Sequence, residues 1–326
     1  MEIILVLYFS ILIGIGVAAS KKVNNVSDYY VGGKKLNYWI AALSARATGE
    51  SGWLLLGVTG MGAVMGFSAF WIVLGEVLGV FLSWHFMAEK FKTLTDNYKS
   101  ITVPDFLHSH FNSKTNTIRI IAATALSAFV VIYVSAQIDI TGKAFESFLG
   151  YNYYFGILIG FGIVVAYIFS GGFLAVAWSD LFQGSIMFLA LLVLPITAYL
   201  QLPNKMAFLQ GLKDIDPALV NIWGDGGFTF MNFLSVIGLL SIGIGFLGSP
   251  QVYVRFIAIK NTQEIKKGKI VAVIYTLVSS SCAVIIGIIG RFMFTTNSQN
   301  PETVLGPAGE NVLYLLLIEI MPTIVV

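Results

Sequence analysis

Long apolar runs, each closed by a short polar stretch, recur from one end of the chain to the other. They lie near 3–20, 38–66, 67–88, 119–141, 153–170, 174–200, 230–250, 269–290 and from 312 onward. Most are close to the ~20 residues that a helix needs to cross a roughly 30 Å hydrocarbon layer. Within them the hydrophobic residues are continuous rather than alternating, which excludes the strands of a membrane barrel. A backbone in lipid must also satisfy its own N–H and C=O groups, which helices do. The pattern predicts an all-α polytopic membrane protein with about nine spans. The last run, "VLYLLLIEIMPTIVV", reaches Val326 without a basic stop and reads as interrupted, so the chain looks C-terminally truncated.

One polar stretch falls inside a run instead of between two. "ALSARATGESGWLLLG" places Arg46, Thr48, Glu50 and Ser51 in the middle of an apolar segment, with Gly49 and Gly52 beside them. A charge at the bilayer centre costs about 2.5–3.5 kcal/mol on insertion scales, so such groups face a bundle interior or water. Glycines weaken the helix there by roughly 1 kcal/mol each relative to alanine. An unwound turn would free carbonyls and half-helix ends to hold ions and polar solutes at the midplane. A helix-packing seam, with Arg46 and Glu50 as an i, i+4 pair, accounts for Ala45, Ala47 and Gly52 but leaves Glu50 and Thr48 unexplained. Pairing of Arg46 with Glu50 or Asp139 is the expected way to limit the cost of buried charge.

Composition agrees with the pattern and adds orientation. The chain of 326 residues is 57% hydrophobic and 11% charged. With the N-terminus outside, alternation of the spans gathers most Lys and Arg on the inner side: Lys21, Lys22, Lys34 and Lys35, then Lys90 to Arg119, then Arg255 to Lys269. The pI near 8.5 therefore reports topology and gives no reason to invoke nucleic acid. Cys282 stands alone and reads as a thiol inside a span, and His108 with His110 reads as a solvated loop. No nucleotide-binding loop or catalytic Ser/His/Asp set is visible, so an enzyme is not expected.

A second interruption, "LLSIGIGFLGSPQ", carries Gly243, Gly245, Gly248 and Pro250. Two glycine-broken spans five elements apart are the pattern of a transporter built from inverted five-helix repeats. On that reading 1–326 is a single transmembrane domain. A leading span lies at 3–20, a first repeat at 38–200, and an incomplete second repeat at 230–326.

The segments "SARATGESGWLLLG", "VPDFL", "IYVSAQ", "SGGFLAVAWSD" and "GFLGSPQVYVRF" resemble, in this order, the sodium/solute symporter family, closest to its bacterial sodium/proline branch. The resemblance implies a leucine-transporter-like fold in the plasma (inner) membrane. It also implies inward symport of a small organic solute with Na+ by alternating access, without an organic cofactor. It assigns sodium to the backbone carbonyls of Ala47 and Glu50 and puts Asp180 on the sodium path. It assigns the solute to Ser51, Gly52, Trp53 and Tyr133, with two further positions occupied here by Ile242 and Phe246. Three positions depart from the proline pattern: Gly49 stands for an aspartate, Ile242 for a tryptophan and Phe246 for a tyrosine. Polar handles are lost with them, and Glu50 is the candidate reader of a solute ammonium in their place. Proline or a related amino acid is the expected solute, a sugar acid the alternative. A symporter-like sensor domain of a signalling protein, and more weakly a passive channel, also fit these residues. Oligomeric state is not readable in the sequence.

Overall fold

The computed structural model describes residues 2–202, 205–297 and 299–320, and these are helical apart from connections and one isolated parallel bridge between Leu36 and Ile259. The helices are α1 (Glu2–Ser20), α2 (Val26–Val31), α3 (Tyr38–Gly52), α4 (Thr59–Met65), α5 (Phe70–Leu82), α6 (Ala88–Asn97), α7 (Val103–His110) and α8 (Thr117–Leu149). They continue with α9 (Tyr153–Gln201), α10 (Phe208–Ile215), α11 (Phe230–Ile244), α12 (Pro250–Ala258), α13 (Thr262–Phe294), α14 (Pro301–Leu305) and α15 (Val312–Ile320). π-Helical turns at Trp53–Val58 and Ser83–Met87 join α3 to α4 and α5 to α6.

Six stretches among the described residues are long and apolar enough to cross a membrane: 3–20, 38–97, 117–149, 153–201, 230–248 and 262–294. The nine expected spans are accommodated because two stretches run through a break and hold two spans each. The first breaks at Gly66 (φ 60°, ψ −134°) and the second at Gly172 (φ 56°, ψ −149°). The ninth is helical over α15, and its continuation at 321–326 lies outside the described residues. α3 is itself broken at Ser51 (φ 42°, ψ −147°), inside the polar stretch. The glycine-rich interruption after α11 becomes a 3₁₀ turn over Gly245–Gly248 and an extended Ser249, with Pro250 starting α12 where its missing N–H is harmless.

The chain packs as two compact units, each drawn from three stretches of sequence: 1–49, 81–184 and 248–272 in one, 50–80, 185–247 and 273–326 in the other. In the first unit α1 lies on α9 through Leu12, Ala19, Tyr167 and Ala175, flanked by Tyr8, Phe9 and Trp178. The loop before α3 is pinned to the end of α12: Leu36 N–H donates to Ala258 O at 3.1 Å and Lys260 N–H to Leu36 O at 2.8 Å. Buried Lys92 of α6 donates to Ile257 O and Asp96, both at 3.1 Å, which satisfies a cation that would otherwise be costly there. None of the apolar window of α8 is buried among the described residues.

The second unit is centred on α13, whose apolar window is 61% buried. Val284, Ile286 and Ile289 of α13 pack with Leu54, Val58, Val73, Leu191, Leu194 and Leu316. Small residues bring backbones together. A Cβ on Gly79 would meet the backbone of Gly243, and one on Gly243 would meet that of Gly75 and Glu76. In lipid the gain from such a crossing is van der Waals contact rather than exclusion of water.

Candidate functional site

Two polar clusters lie inside these apolar units. The first is organised by Arg255 of α12, a side chain only 6% exposed. Its Nη2 donates to Asp180 Oδ2 at 2.8 Å and to Thr48 Oγ1 at 2.7 Å, its Nε to Ser44 Oγ at 2.9 Å, and its Nη1 to Gln251 O at 3.0 Å. The Ser44 and Thr48 hydroxyls in turn donate to Asp180 Oδ2, at 2.5 and 3.2 Å. The carboxylate thus meets a guanidinium and two hydroxyls, and the guanidinium also lies over the Phe173 ring, 5.3 Å from its centroid. Tyr133 of α8 donates to Thr48 O at 2.8 Å, tying α8 to a carbonyl near the α3 break. Freed or strained carbonyls near a break accept such donors readily.

The second cluster surrounds the break at Ser51. Glu50 and Glu76 are both 0% exposed. Glu76 accepts from the Trp53 indole N–H at 2.9 Å and from Ser280 Oγ at 2.6 Å. Glu50 accepts from Ser279 Oγ at 2.9 Å, a hydroxyl that also lies within reach of the Tyr275 carbonyl. The adjacent serines of α13 therefore engage two carboxylates, one just before the break and one that holds the residue just after it. Between them Ser51 carries a positive φ unusual for a side-chain-bearing residue, and its hydroxyl is sealed from solvent without a hydrogen-bond partner among the described residues. Strained backbone and unsatisfied buried groups of this kind concentrate at functional sites.

Most sequence-derived candidates fall into these clusters. Asp180 and Tyr133 belong to the first, and Glu50, Ser51 and Trp53 to the second; Ala47 lies on α3 within the first unit, and Gly52 is buried in the second. Phe246 is 9% exposed and Ile242 half-buried, both near the 3₁₀ interruption of the second unit. Asp139 is engaged by Tyr153 Oη at 2.6 Å and Lys143 at 3.3 Å. Four participants are not singled out by the sequence: Arg255, Glu76, Ser279 and Ser280. Arg255 follows the proline at the expected end of a span and counts there among the loop charges, whereas the helix resumes at Pro250 and buries it. Glu76 is a lone acid in "WIVLGEVLGVFL", and an intramembrane carboxylate was signal enough. Ser279 and Ser280 left no mark that distinguishes them from other helix serines.

The family model for the sodium:solute symporter family matches residues 29–326. The chain belongs to that family. The "High-affinity proline transporter PutP" of Bacillus subtilis (strain 168) is 36% identical over 304 residues, which cover 92% of this chain and 63% of that one. The "Sodium/proline symporter" of Staphylococcus aureus (strain JH9) is 34% identical over 306 residues, 92% of this chain and 59% of the relative. The chain thus spans about 63% or less of the length of these relatives. A solved structure of a Na+-coupled sialic acid symporter in a substrate-bound outward-open state superposes with a TM-score of 0.80 over 99% of this chain and 66% of that one, at 20% identity, so the likeness is one of fold. With its family and its six apolar stretches, this is a multi-pass membrane protein of the all-helical leucine-transporter-like fold.

Proposed function

We propose that the protein carries a small organic solute, proline or a related amino acid, together with Na+ by alternating access in the plasma membrane, its N-terminus outside. The observation that carries this reading is the break at Ser51: a strained residue with a buried, unpartnered hydroxyl, bracketed by Glu50 and by an indole anchored on Glu76. That arrangement holds a hydrogen-bonding group in wait for a ligand atom. The proline-transporting relatives and the sodium-coupled structural neighbour supply the solute class and the ion.

In this reading the carbonyls of Ala47 and Glu50 serve the sodium, as the resemblance implies. Carbonyl oxygens are hard donors that replace a hydration shell without regard to side chain. The resemblance assigns the solute to Ser51, Gly52 and Trp53, and to the positions of Tyr133, Ile242 and Phe246. Glu50 offers negative charge to a solute ammonium. Asp180 is reached by the ion only in competition with Arg255, so this pair acts as a latch on the sodium path. The spans divide as a leading helix at 3–20, a first repeat at 38–200 and a second from 230.

The test is uptake of labelled proline by proteoliposomes, with an inward gradient of Na+ or of K+ and a panel of unlabelled amino acids and sugar acids as competitors. Saturable uptake with Na+ alone, competed by proline, is the expected result. Uptake indifferent to the cation overturns the coupling, and competition by sugar acids alone overturns the solute. Asp180→Asn is expected to weaken the dependence of uptake on Na+ concentration more than on solute concentration.

A further inference from the structure

We propose that a basic cavity at the end of α1 is a binding site for phosphate, specifically the phosphate of an anionic membrane lipid. The cavity has a volume of 480 Å³ and is lined by Lys21, Lys22, Lys35, Asn24, Asn37 and Trp178, all within the first unit.

Four observations converge on it. The first is charge. Lys21, Lys22 and Lys35 have no acidic partner among the described residues, whereas their neighbour Lys34 pairs with Asp96 at 2.9 Å. The one acid on the lining, Asp28, is buried and turned to local use: its Oδ2 accepts Asn24 N–H at 3.1 Å. The second is depth. Lys21 and Lys22 follow the apolar span 3–20 directly, so they leave the hydrocarbon where lipid headgroups begin. Lysines at that level feel the surface of anionic lipids, and tryptophan prefers the same zone.

The third is construction. The Lys22 ammonium sits 4.8 Å above the centroid of the Trp178 ring, which orients it without neutralising it. Asn25 caps α2 through a 2.9 Å bond from Asp28 N–H, and the backbone bonds of Leu36 fix the far wall to α12. The lysines are thus presented by pinned backbone rather than by a loose tail. The fourth is chemistry. Ammonium groups with two side-chain amides suit a tetrahedral oxyanion, which takes several donors at once. A zwitterionic headgroup would bring its own cation into a cavity that already has an excess of positive charge.

The experiment uses the protein in mild detergent, with bound lipid counted by native mass spectrometry and tryptophan emission followed in parallel. The probes are dioctanoyl-phosphatidylglycerol, dioctanoyl-phosphatidylcholine and inorganic phosphate. The expected result is binding of the phosphatidylglycerol in preference to the phosphatidylcholine, weakened on the order of tenfold or more by Lys21→Gln/Lys22→Gln/Lys35→Gln. A second triple variant, Lys90→Gln/Lys260→Gln/Lys266→Gln, removes the same charge away from the cavity and is expected to bind as the parent does. Equal weakening in both variants, or none in either, overturns the site. Displacement of phosphatidylglycerol by inorganic phosphate at matching concentration overturns the lipid as the source of the phosphate.

Discussion

The chain leaves its helical path at Ser51 and at Gly172 with nearly the same backbone angles, φ 42° and ψ −147° against φ 56° and ψ −149°. The two surroundings differ. At Gly172 the residue is the one best suited to positive φ, and a Cβ there would strike the Tyr29 carbonyl and ring. That break is filled by packing. At Ser51 a side chain is retained at conformational cost, its hydroxyl is left without a partner among the described residues, and the residues before and after the break, Glu50 and Trp53, engage Ser279 and the buried Glu76. One break shapes the bundle, and the other holds a buried polar group without a partner among the described residues. The cost of the second is reasonable only if something other than folding selects for it.

Substitutions can test this contrast. Gly172→Val combines a disfavoured φ with a clash against backbone and is expected to cost about 3 kcal/mol or more; a thermal melt in detergent that does not move would remove the packing role. Glu76→Leu strands the Trp53 N–H and the Ser280 O–H in the interior, for a loss of about 2–4 kcal/mol and a higher KM for solute. Glu76→Gln keeps a carbonyl acceptor for the indole and offers an amide N–H to the Ser280 oxygen, which then accepts instead of donating, so it is expected within ~1 kcal/mol of the parent. If both variants behave alike, the hydrogen bonds at Glu76 do not anchor Trp53.

Ser51→Gly removes the backbone strain and is expected to raise stability by about 1 kcal/mol while raising KM about tenfold. Ser51→Ala keeps the strain and loses the hydroxyl, so it should show the same KM penalty without the gain from glycine's freedom at positive φ. Parallel effects on stability and KM in the two variants would merge the two roles that the comparison separates.

The hydrophobic pattern made the membrane class, the spans and both glycine-broken helices legible, because lipid imposes length and continuity on every crossing. Glu50 and Ser51 stood out for the same reason in reverse, because polar groups are conspicuous in an apolar run, whereas Trp53 entered only through the resemblance to the family. What escaped was tertiary. Arg255 lies after a proline that looked like an end, and only the fold shows a helix restarting there and turning its guanidinium onto Asp180. Glu76 is one letter in an apolar segment, and its meaning comes from Trp53 and Ser280, 23 and 204 residues away. The merging of expected spans into continuous stretches at Gly66 and Gly172 follows from single-residue breaks that need no polar loop.

The close approach of Gly243 to the Gly75–Glu76 backbone, and of Gly79 to Gly243, bears on how this sequence can drift over generations. A methyl group on any of these glycines would have to push back a main chain rather than a side chain, that of α11 for Gly75 and Gly79 and that of the Glu76-bearing α5 for Gly243. No sequence of tolerated single steps fills that crossing one residue at a time. In a diverging lineage this small patch of missing side chains is expected to change only as a block.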